Sequence, residues 1–201
     1  MIKYSLINKY FLLLFVIIGV LFLQGCMAAT VIGGAVVATQ TAIDPRSLGT
    51  QIDDHTLESR IYNAIDKNKQ LKQEARIIIT VYQGDVLLTG QVVSSDLISY
   101  AENTVMNIAS RSEIYSEIRT GTPINIIAIS KDYWITTKIR FKMLINTIIK
   151  SPNIKVVTED GEVFLLGLVT LSESKEAAKI ASQVSGVKHV TTVFNILNKK
   201  M

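Results

Sequence analysis

The apolar residues of this chain follow helix and strand periods in turn, and the whole pattern occurs twice. In the first half, three apolar residues share one face of a predicted helix after a cap at Asp53 or Asp54: Leu57, Ile61 and Ile65. Two dense apolar runs predict strands at 75–82 and 86–92, and a short last strand is predicted at 113–119. A second helix is predicted from about Asp96. This half therefore indicates an α-β-β-α-β unit.

The second half repeats the same order about 77 residues later, so that 83–92 is answered by 160–169. Ile135, Ile139 and Met143 form the inward stripe of its first helix. Apolar runs at 154–158, 162–169 and 190–197 predict its strands, and a second helix lies between the last two. Because each copy serves as a control for the other, shared residues are expected to hold the fold, and differing residues mark added function.

Four glycines recur at matching points of the two copies. Gly84 and Gly161 are predicted to supply the positive φ of a tight hairpin turn. Gly90 and Gly167, in the second strands, indicate a bulge or a close approach of helix backbone to the sheet. Three acidic residues surround the second hairpin and are expected to be solvated turn residues: Glu159, Asp160 and Glu162.

The fold class that follows is α+β, with two tandem domains, each a three-stranded sheet packed by two helices. We assign the first domain to 51–121, the linker to 122–129 and the second domain to 130–199.

The N-terminus is predicted to be a lipoprotein signal peptide (1–25). Its apolar run is 10–23, which is shorter than the roughly 20 residues needed to span a bilayer as a helix. It ends in Leu23-Gln24-Gly25-Cys26, which resembles the lipobox of bacterial lipoproteins, so Cys26 is expected to carry diacylglycerol and an N-acyl chain (palmitate-like). The alternative is an ordinary buried cysteine behind an uncleaved anchor. As the single cysteine, Cys26 cannot form an intramolecular disulfide.

Residues 26–50 are expected to form the lipidated N-terminus and a flexible tether. The alternative of a further membrane segment at 27–38 is disfavoured by Gly33-Gly34 and by its short length. Met27 replaces the Asp that resembles an inner-membrane retention signal, which favours the outer membrane.

Charge differs between the copies. Residues 50–129 carry 7 Lys and Arg against 10 Asp and Glu, whereas residues 130–201 carry 11 against 6. Only the second copy is therefore expected to favour an anionic surface.

Catalytic and metal-binding patterns do not emerge. The two histidines, His55 and His189, lack ligand spacing. No nucleophile elbow or phosphate-binding loop is present in the sequence. We therefore expect no enzymatic activity, no metal, no nucleic-acid partner and no cofactor other than the acyl chains.

The first helix of the second copy carries the informative difference. At about 100° per residue, Trp134, Lys138, Phe141 and Ile145 share a face away from the inward stripe, with Lys131 and Lys142 beside it; we name these six as the predicted phospholipid-binding residues. The matching residues of the first copy are Thr56, Arg60, Asn63 and Lys67. Tryptophan among cations is typical of a surface that settles at lipid headgroups. The alternative is that Trp134, Phe141 and Ile145 pack against the first domain.

These motifs carry a family resemblance. The Val-x-Leu-x-Gly-x-Val pattern at 86–92 and the Val184-Ser185-Gly186-Val187-x-x-Val190 segment resemble the BON domain. Two such copies behind a lipobox resemble the DolP (YraP) family of dual-BON outer-membrane lipoproteins, over roughly 20–197. Several continuous sequence segments also resemble that family, including 74–77, 134–138, 161–164 and 186–192.

The resemblance implies a lipid-anchored protein of the outer membrane that faces the periplasm and gathers at the division septum. It implies binding of anionic phospholipid, phosphatidylglycerol especially, through the helix that holds Trp134. It also implies roles in envelope integrity, contact with the outer-membrane assembly machinery and regulation of peptidoglycan amidases. The alternative is a periplasmic protein-interaction adaptor or chaperone-like module, with the acidic first domain (Glu113 and Glu117) as its working surface.

Overall fold

The computed structural model describes residues 46–197. The predicted signal peptide, Cys26 and residues 27–45 lie outside the described residues. The described elements are α1 (Leu48–Ile65), α2 (Lys69–Glu74), β1 (Arg76–Tyr82), β2 (Asp85–Val92), α3 (Ser95–Ile108), β3 (Ile114–Thr120), α4 (Ile126–Leu144), a 3-10 turn (Ser151–Asn153), β4 (Ile154–Glu159), β5 (Glu162–Val169), α5 (Leu171–Ser182) and β6 (His189–Ile196).

The predicted α+β class with two α-β-β-α-β domains is confirmed, with α2 and the 3-10 turn as short additions. Each domain has a three-stranded sheet in which the first two strands are antiparallel and the last two are parallel. One face of each sheet packs against its two long helices. The predicted inward residues line these cores, with Ile61, Ile65, Ile135, Ile139 and Met143 all buried.

The first helix of each domain begins earlier than predicted. The Ser47 side chain caps α1 by accepting a hydrogen bond from the Thr50 backbone N–H at 3.1 Å. The prediction of a cap at Asp53 or Asp54 is therefore wrong, and α1 starts inside the segment predicted as tether. Helix α4 likewise starts within the predicted linker, after Asn125.

Asp54 is buried because its carboxylate serves the hairpin turn instead of the helix end. Its two oxygens accept hydrogen bonds from the backbone N–H groups of Gln83 and Gly84, both at 2.8 Å. Both turn residues have positive φ, 53° and 86°, so the glycine meets the backbone requirement that the sequence predicted. The second domain repeats this arrangement with Asp132 and the turn at 160–161.

Gly90 and Gly167 lie at a close approach of two strands, so the predicted approach of helix backbone is wrong. A Cβ on Gly90 would overlap the carbonyl oxygen of Arg76, and a Cβ on Gly167 would overlap that of Asn153. These carbonyls belong to the chain entering the neighbouring strand of the same sheet.

The two domains contact one another through the helix-free faces of their sheets. Seven side chains form this interdomain core: Tyr82, Leu87, Tyr115, Val157, Phe164, Leu166 and Val193. Beside it, the Arg76 guanidinium pairs with the Glu159 carboxylate at 3.0 Å, and Glu159 is only 4% exposed. The prediction of Glu159 as a solvated turn residue is wrong, because its cationic partner comes from the other domain. The layers therefore run helix, sheet, sheet, helix.

Candidate functional site

Helix α4 covers the core of the second domain with one face and exposes a broad apolar face on the other. Asn125 caps its first turn by accepting from the Ala128 backbone N–H at 3.0 Å. Trp134, Phe141 and Ile145 are 65%, 61% and 65% exposed. Because these residues recur at helical spacing, they form one continuous stripe along the helix.

The predicted cations lie on one flank of this stripe. Lys131, Lys138 and Lys142 are exposed, and none of the three forms an ion pair with another described residue. Helical geometry places all three between the apolar stripe and the buried side of α4. The six predicted residues are therefore brought together on one accessible surface.

Arg140 differs from these lysines because it serves the fold. It lies on the opposite flank, and its guanidinium donates a hydrogen bond to the backbone carbonyl of Val156 in strand β4, at 3.1 Å. The matching residue of the first domain is Tyr62, which is exposed.

The alternative that Trp134, Phe141 and Ile145 seal the contact between the domains is contradicted by their exposure. The interdomain core is built from the two sheets. Helix α4 lies on the other face of the second sheet and leaves this stripe uncovered by the described residues.

A cleft of about 430 Å³ opens beside the first half of α4. We name it the Trp134 cleft, and its lining residues are Ala128, Lys131, Asp132, Trp134, Ile135, Lys138, Asp160, Gly161, Ser185, Gly186 and Lys188. Three structural pieces build it: helix α4, the hairpin between β4 and β5, and the loop before β6. It thus joins the basic flank of α4 to residues distant in sequence.

Sequence reasoning missed several residues of this surface. Ile126, Tyr133 and Leu144 are exposed along a second apolar edge of α4, and Lys188 enters the cleft from outside the helix. Comparison of all helix positions between the two copies would have found the apolar edge, since Tyr133 and Leu144 replace His55 and Asp66. Lys188 carries no such helical signal.

Two features of the described residues limit other site types. No helix within 46–197 has both the length and the apolar character needed to cross a bilayer. The same residues contain no cluster of three or more His, Cys, Asp or Glu side chains arranged for a metal ion.

Comparison with known proteins identifies the domains. The BON domain model matches residues 53–122 and 131–198, which agrees with the two units of the fold. The chain is 47% identical over 178 residues to the outer membrane lipoprotein DolP of Haemophilus influenzae, covering 89% of this chain and 92% of that protein. It is 45% identical over 153 residues to a 21 kDa hemolysin of Actinobacillus pleuropneumoniae, covering 76% and 79%.

Neither relative carries the name of an enzyme, which is consistent with the predicted lack of enzymatic activity. Two BON domains over most of the described chain, and close identity along nearly the whole length of a relative, agree with the sequence motifs. The chain belongs to the DolP family of outer-membrane lipoproteins, built from two BON domains.

Proposed function

We propose that this protein is attached to the outer membrane by acyl chains on Cys26 and binds anionic phospholipid through the exposed face of α4. The single observation that carries the proposal is the apolar stripe of Trp134, Phe141 and Ile145 with lysines along one flank. An indole ring suits the headgroup level of a bilayer, and each cation near an anionic leaflet contributes on the order of 1 kcal/mol.

The first domain supports this assignment by contrast. The residues of α1 that match Trp134, Phe141 and Ile145 are Thr56, Asn63 and Lys67. The same fold therefore exists in this chain without the stripe, so the fold alone does not require it.

The anchor and the helix have different tasks in this proposal. Diacylglycerol and an N-acyl chain on Cys26 hold the protein at the periplasmic face of the outer membrane, since several chains bind far more firmly than one. Helix α4 recognises the lipid headgroup, with phosphatidylglycerol as the preferred lipid. In this scheme, the place where that lipid gathers determines four further roles: enrichment at the septum, envelope integrity, regulation of peptidoglycan amidases and contact with the outer-membrane assembly machinery.

The test uses the chain from Met27, because both hydrophobic cores lie within residues 46–197. Trp134 is the single tryptophan, so its emission reports directly on this surface. With vesicles of phosphatidylcholine and phosphatidylglycerol, we expect a blue shift that pure phosphatidylcholine does not cause.

Vesicle sedimentation then compares Trp134→Glu with a matched control. Trp134→Glu is expected to weaken binding at least about tenfold, because it removes the inserted ring and adds an anion at an anionic surface. Tyr62→Glu makes the same kind of change at an exposed aromatic residue of α1 and should leave binding unchanged. Equal binding by wild type and Trp134→Glu would refute the proposal.

A second candidate function, a protein-interaction adaptor, has one observation in its favour. Strand β1 is an edge of the first sheet, and a groove of about 420 Å³ lies between it and α1, lined by Tyr62 and Ile77–Ile79. In the second domain, Arg140 donates a hydrogen bond to a carbonyl of the edge strand β4. In the first domain, Tyr62 stands at the matching position and does not cover the corresponding carbonyl of β1. An exposed edge can accept an extended segment of another protein.

Cells that keep envelope integrity with Trp134→Glu but lose it with Tyr62→Arg would favour the adaptor. Tyr62→Arg copies the Arg140 cap of the second domain and so would close the edge. The reverse pattern would favour lipid binding.

A further inference from the structure

We propose that the Trp134 cleft is the headgroup pocket of the lipid site, and that Lys188 exchanges its bond to Asp160 for a bond to the lipid phosphate. The inference rests on the proposed function and adds a specific ligand geometry to it. The class of ligand is a glycerophospholipid with an anionic headgroup, bound with its acyl chains against α4.

The walls of the cleft are fixed by buried polar contacts. The Asp132 carboxylate of α4 accepts hydrogen bonds from the backbone N–H groups of Asp160 and Gly161, at 2.7 and 2.8 Å, which holds the hairpin against the helix. The backbone N–H of Lys188 donates to the Gly161 carbonyl at 2.8 Å, which holds the loop against the hairpin. The concavity is therefore built before any ligand enters.

The electrostatics of the cleft favour an anion. Lys131, Lys138 and Lys188 line it from two different structural pieces. Of its two lining carboxylates, Asp132 is buried and engaged by the hairpin N–H groups. Asp160 forms an ion pair with the Lys188 ammonium at 2.9 Å.

That ion pair is suited to exchange. The Lys188 and Asp160 side chains are 59% and 53% exposed, and ion pairs so open to water contribute little to stability. The phosphodiester of a phospholipid offers two oxygens that share one negative charge, and it can reach the same ammonium without requiring a change in the backbone. Lys188 can therefore leave Asp160 at low cost.

The first domain does not repeat the cationic lining. Val86 pairs with Ile114 as Val163 pairs with Val190, so Lys188 corresponds to Ser112. On the helix side, Lys131 and Trp134 correspond to Asp53 and Thr56. The convergence of lysines with tryptophan is thus an addition to the shared fold.

The position of Trp134 selects a lipid over a free phosphate. Trp134 belongs both to the cleft lining and to the exposed stripe that continues to Phe141 and Ile145. A free phosphate would fill the cleft and leave this stripe in water. A phospholipid covers both, with its phosphate among the lysines and its acyl chains along the helix.

The proposal predicts opposite effects for the two members of the ion pair. Lys188→Gln should weaken binding to phosphatidylglycerol vesicles about fivefold, the equivalent of one cation at an anionic surface. Asp160→Asn should strengthen it about threefold or more, because it frees Lys188 and removes an anion from the cleft. Asn tolerates the positive φ of 48° at this turn.

The controls come from an ion pair of the first domain. Lys72 and Asp66 are 2.7 Å apart, and Lys72 has the same 59% exposure as Lys188. Lys72→Gln and Asp66→Asn make identical changes in net charge away from the cleft and should each alter binding less than twofold. Thermal unfolding of all four variants checks that the fold persists.

The outcomes separate the cleft from the proposed function. If Trp134→Glu abolishes binding while Lys188→Gln and Asp160→Asn behave like their controls, the headgroup pocket is refuted and the lipid-binding helix stands. If wild type does not bind phosphatidylglycerol vesicles, the headgroup pocket and the lipid-binding helix are both refuted. If soluble glycerol 3-phosphate alone saturates the Trp134 emission change, the lipid is refuted as the ligand.

Discussion

At the scale of single residues, each sheet contains one glycine that directly faces a backbone carbonyl of the neighbouring chain segment. Gly90 has a backbone φ of +122°, which residues with a side chain rarely adopt. Gly167 faces the Asn153 carbonyl oxygen. Any Cβ at these positions would push two paired strands apart. Both glycines are thus required by the sheets.

We expect Gly167→Ala to lower the free energy of unfolding by at least about 2 kcal/mol, because the added methyl group overlaps the Asn153 carbonyl. Urea denaturation of the chain from Met27 measures the change. Gly121→Ala is the control, since no atom lies within 4 Å of a Cβ placed there. Equal stability of the two variants would contradict this account of Gly167.

Residues of the candidate site were predictable when their signal was local. The exposure of Trp134, Phe141 and Ile145 follows from helical period once the inward stripe is known. Lys188 and Asp132 were not found, because their partners lie on other elements: Asp132 serves a turn 28 residues away.

At the scale of elements, period and glycine placement predicted every long helix and strand among the described residues, but the start of the first helix in each domain was wrong. Aspartate is a common helix-capping residue, but the Asp54 carboxylate accepts hydrogen bonds from backbone N–H groups of the hairpin instead. Ser47 and Asn125 were overlooked, although both residue types are common caps. Competition between local and distant backbone N–H donors for the same carboxylate explains the error at Asp54.

Helix α5 has the most complete cap, and it gives the second domain a dependence on pH. Thr170 and Glu173 form a capping box, and Glu173 also accepts from the Lys150 backbone N–H at 3.2 Å. Burial by itself would raise the pKa of Glu173, but the hydrogen bonds from Thr170 and Lys150 outweigh it and hold the pKa below the ordinary 4.5. The ionised carboxylate therefore stabilises the fold.

Because the folded pKa is lowered, this contribution is complete above about pH 4.5 and is lost as the pH falls through the folded value. Glu173→Gln should lower the free energy of unfolding by about 1–2 kcal/mol at neutral pH. The difference from wild type should shrink in acid, as measured by denaturation at a series of pH values. Glu102→Gln in α3 removes a charge outside a cap and should show neither effect.

At the scale of the whole molecule, one feature of the sequence indicates the contact between the domains, although helix and strand periods alone do not reveal it. Strand β5 is apolar at four successive positions, 163–166, as expected for a strand covered on both faces. Val163 and Leu165 face the core of the second domain, whereas Phe164 and Leu166 face the first domain. The position of the ion pair between Arg76 and Glu159 depends on this contact and was unpredictable without it.

The buried contact between the sheets is expected to make the two domains unfold together. Wild type should give one calorimetric transition. Phe164 has the largest of the fully buried side chains that the structure describes, and it lies in the interdomain core. Phe164→Ala should therefore lower the free energy of unfolding by about 3–5 kcal/mol and separate the transition into two. The separation is the specific result, because the first domain keeps its own core but loses its neighbour.

Leu165→Ala provides the matched control, since Leu165 is adjacent in sequence and points into the core of the second domain. It should also lower stability, by about 2–5 kcal/mol, but within a single transition, because the interdomain surface is intact. Two transitions in wild type would show that the sheet contact does not couple the domains, and one transition in Phe164→Ala would show that the coupling does not depend on Phe164. A coupled pair would hold the first domain in a fixed position relative to α4, because both domains then move with the shared interdomain core.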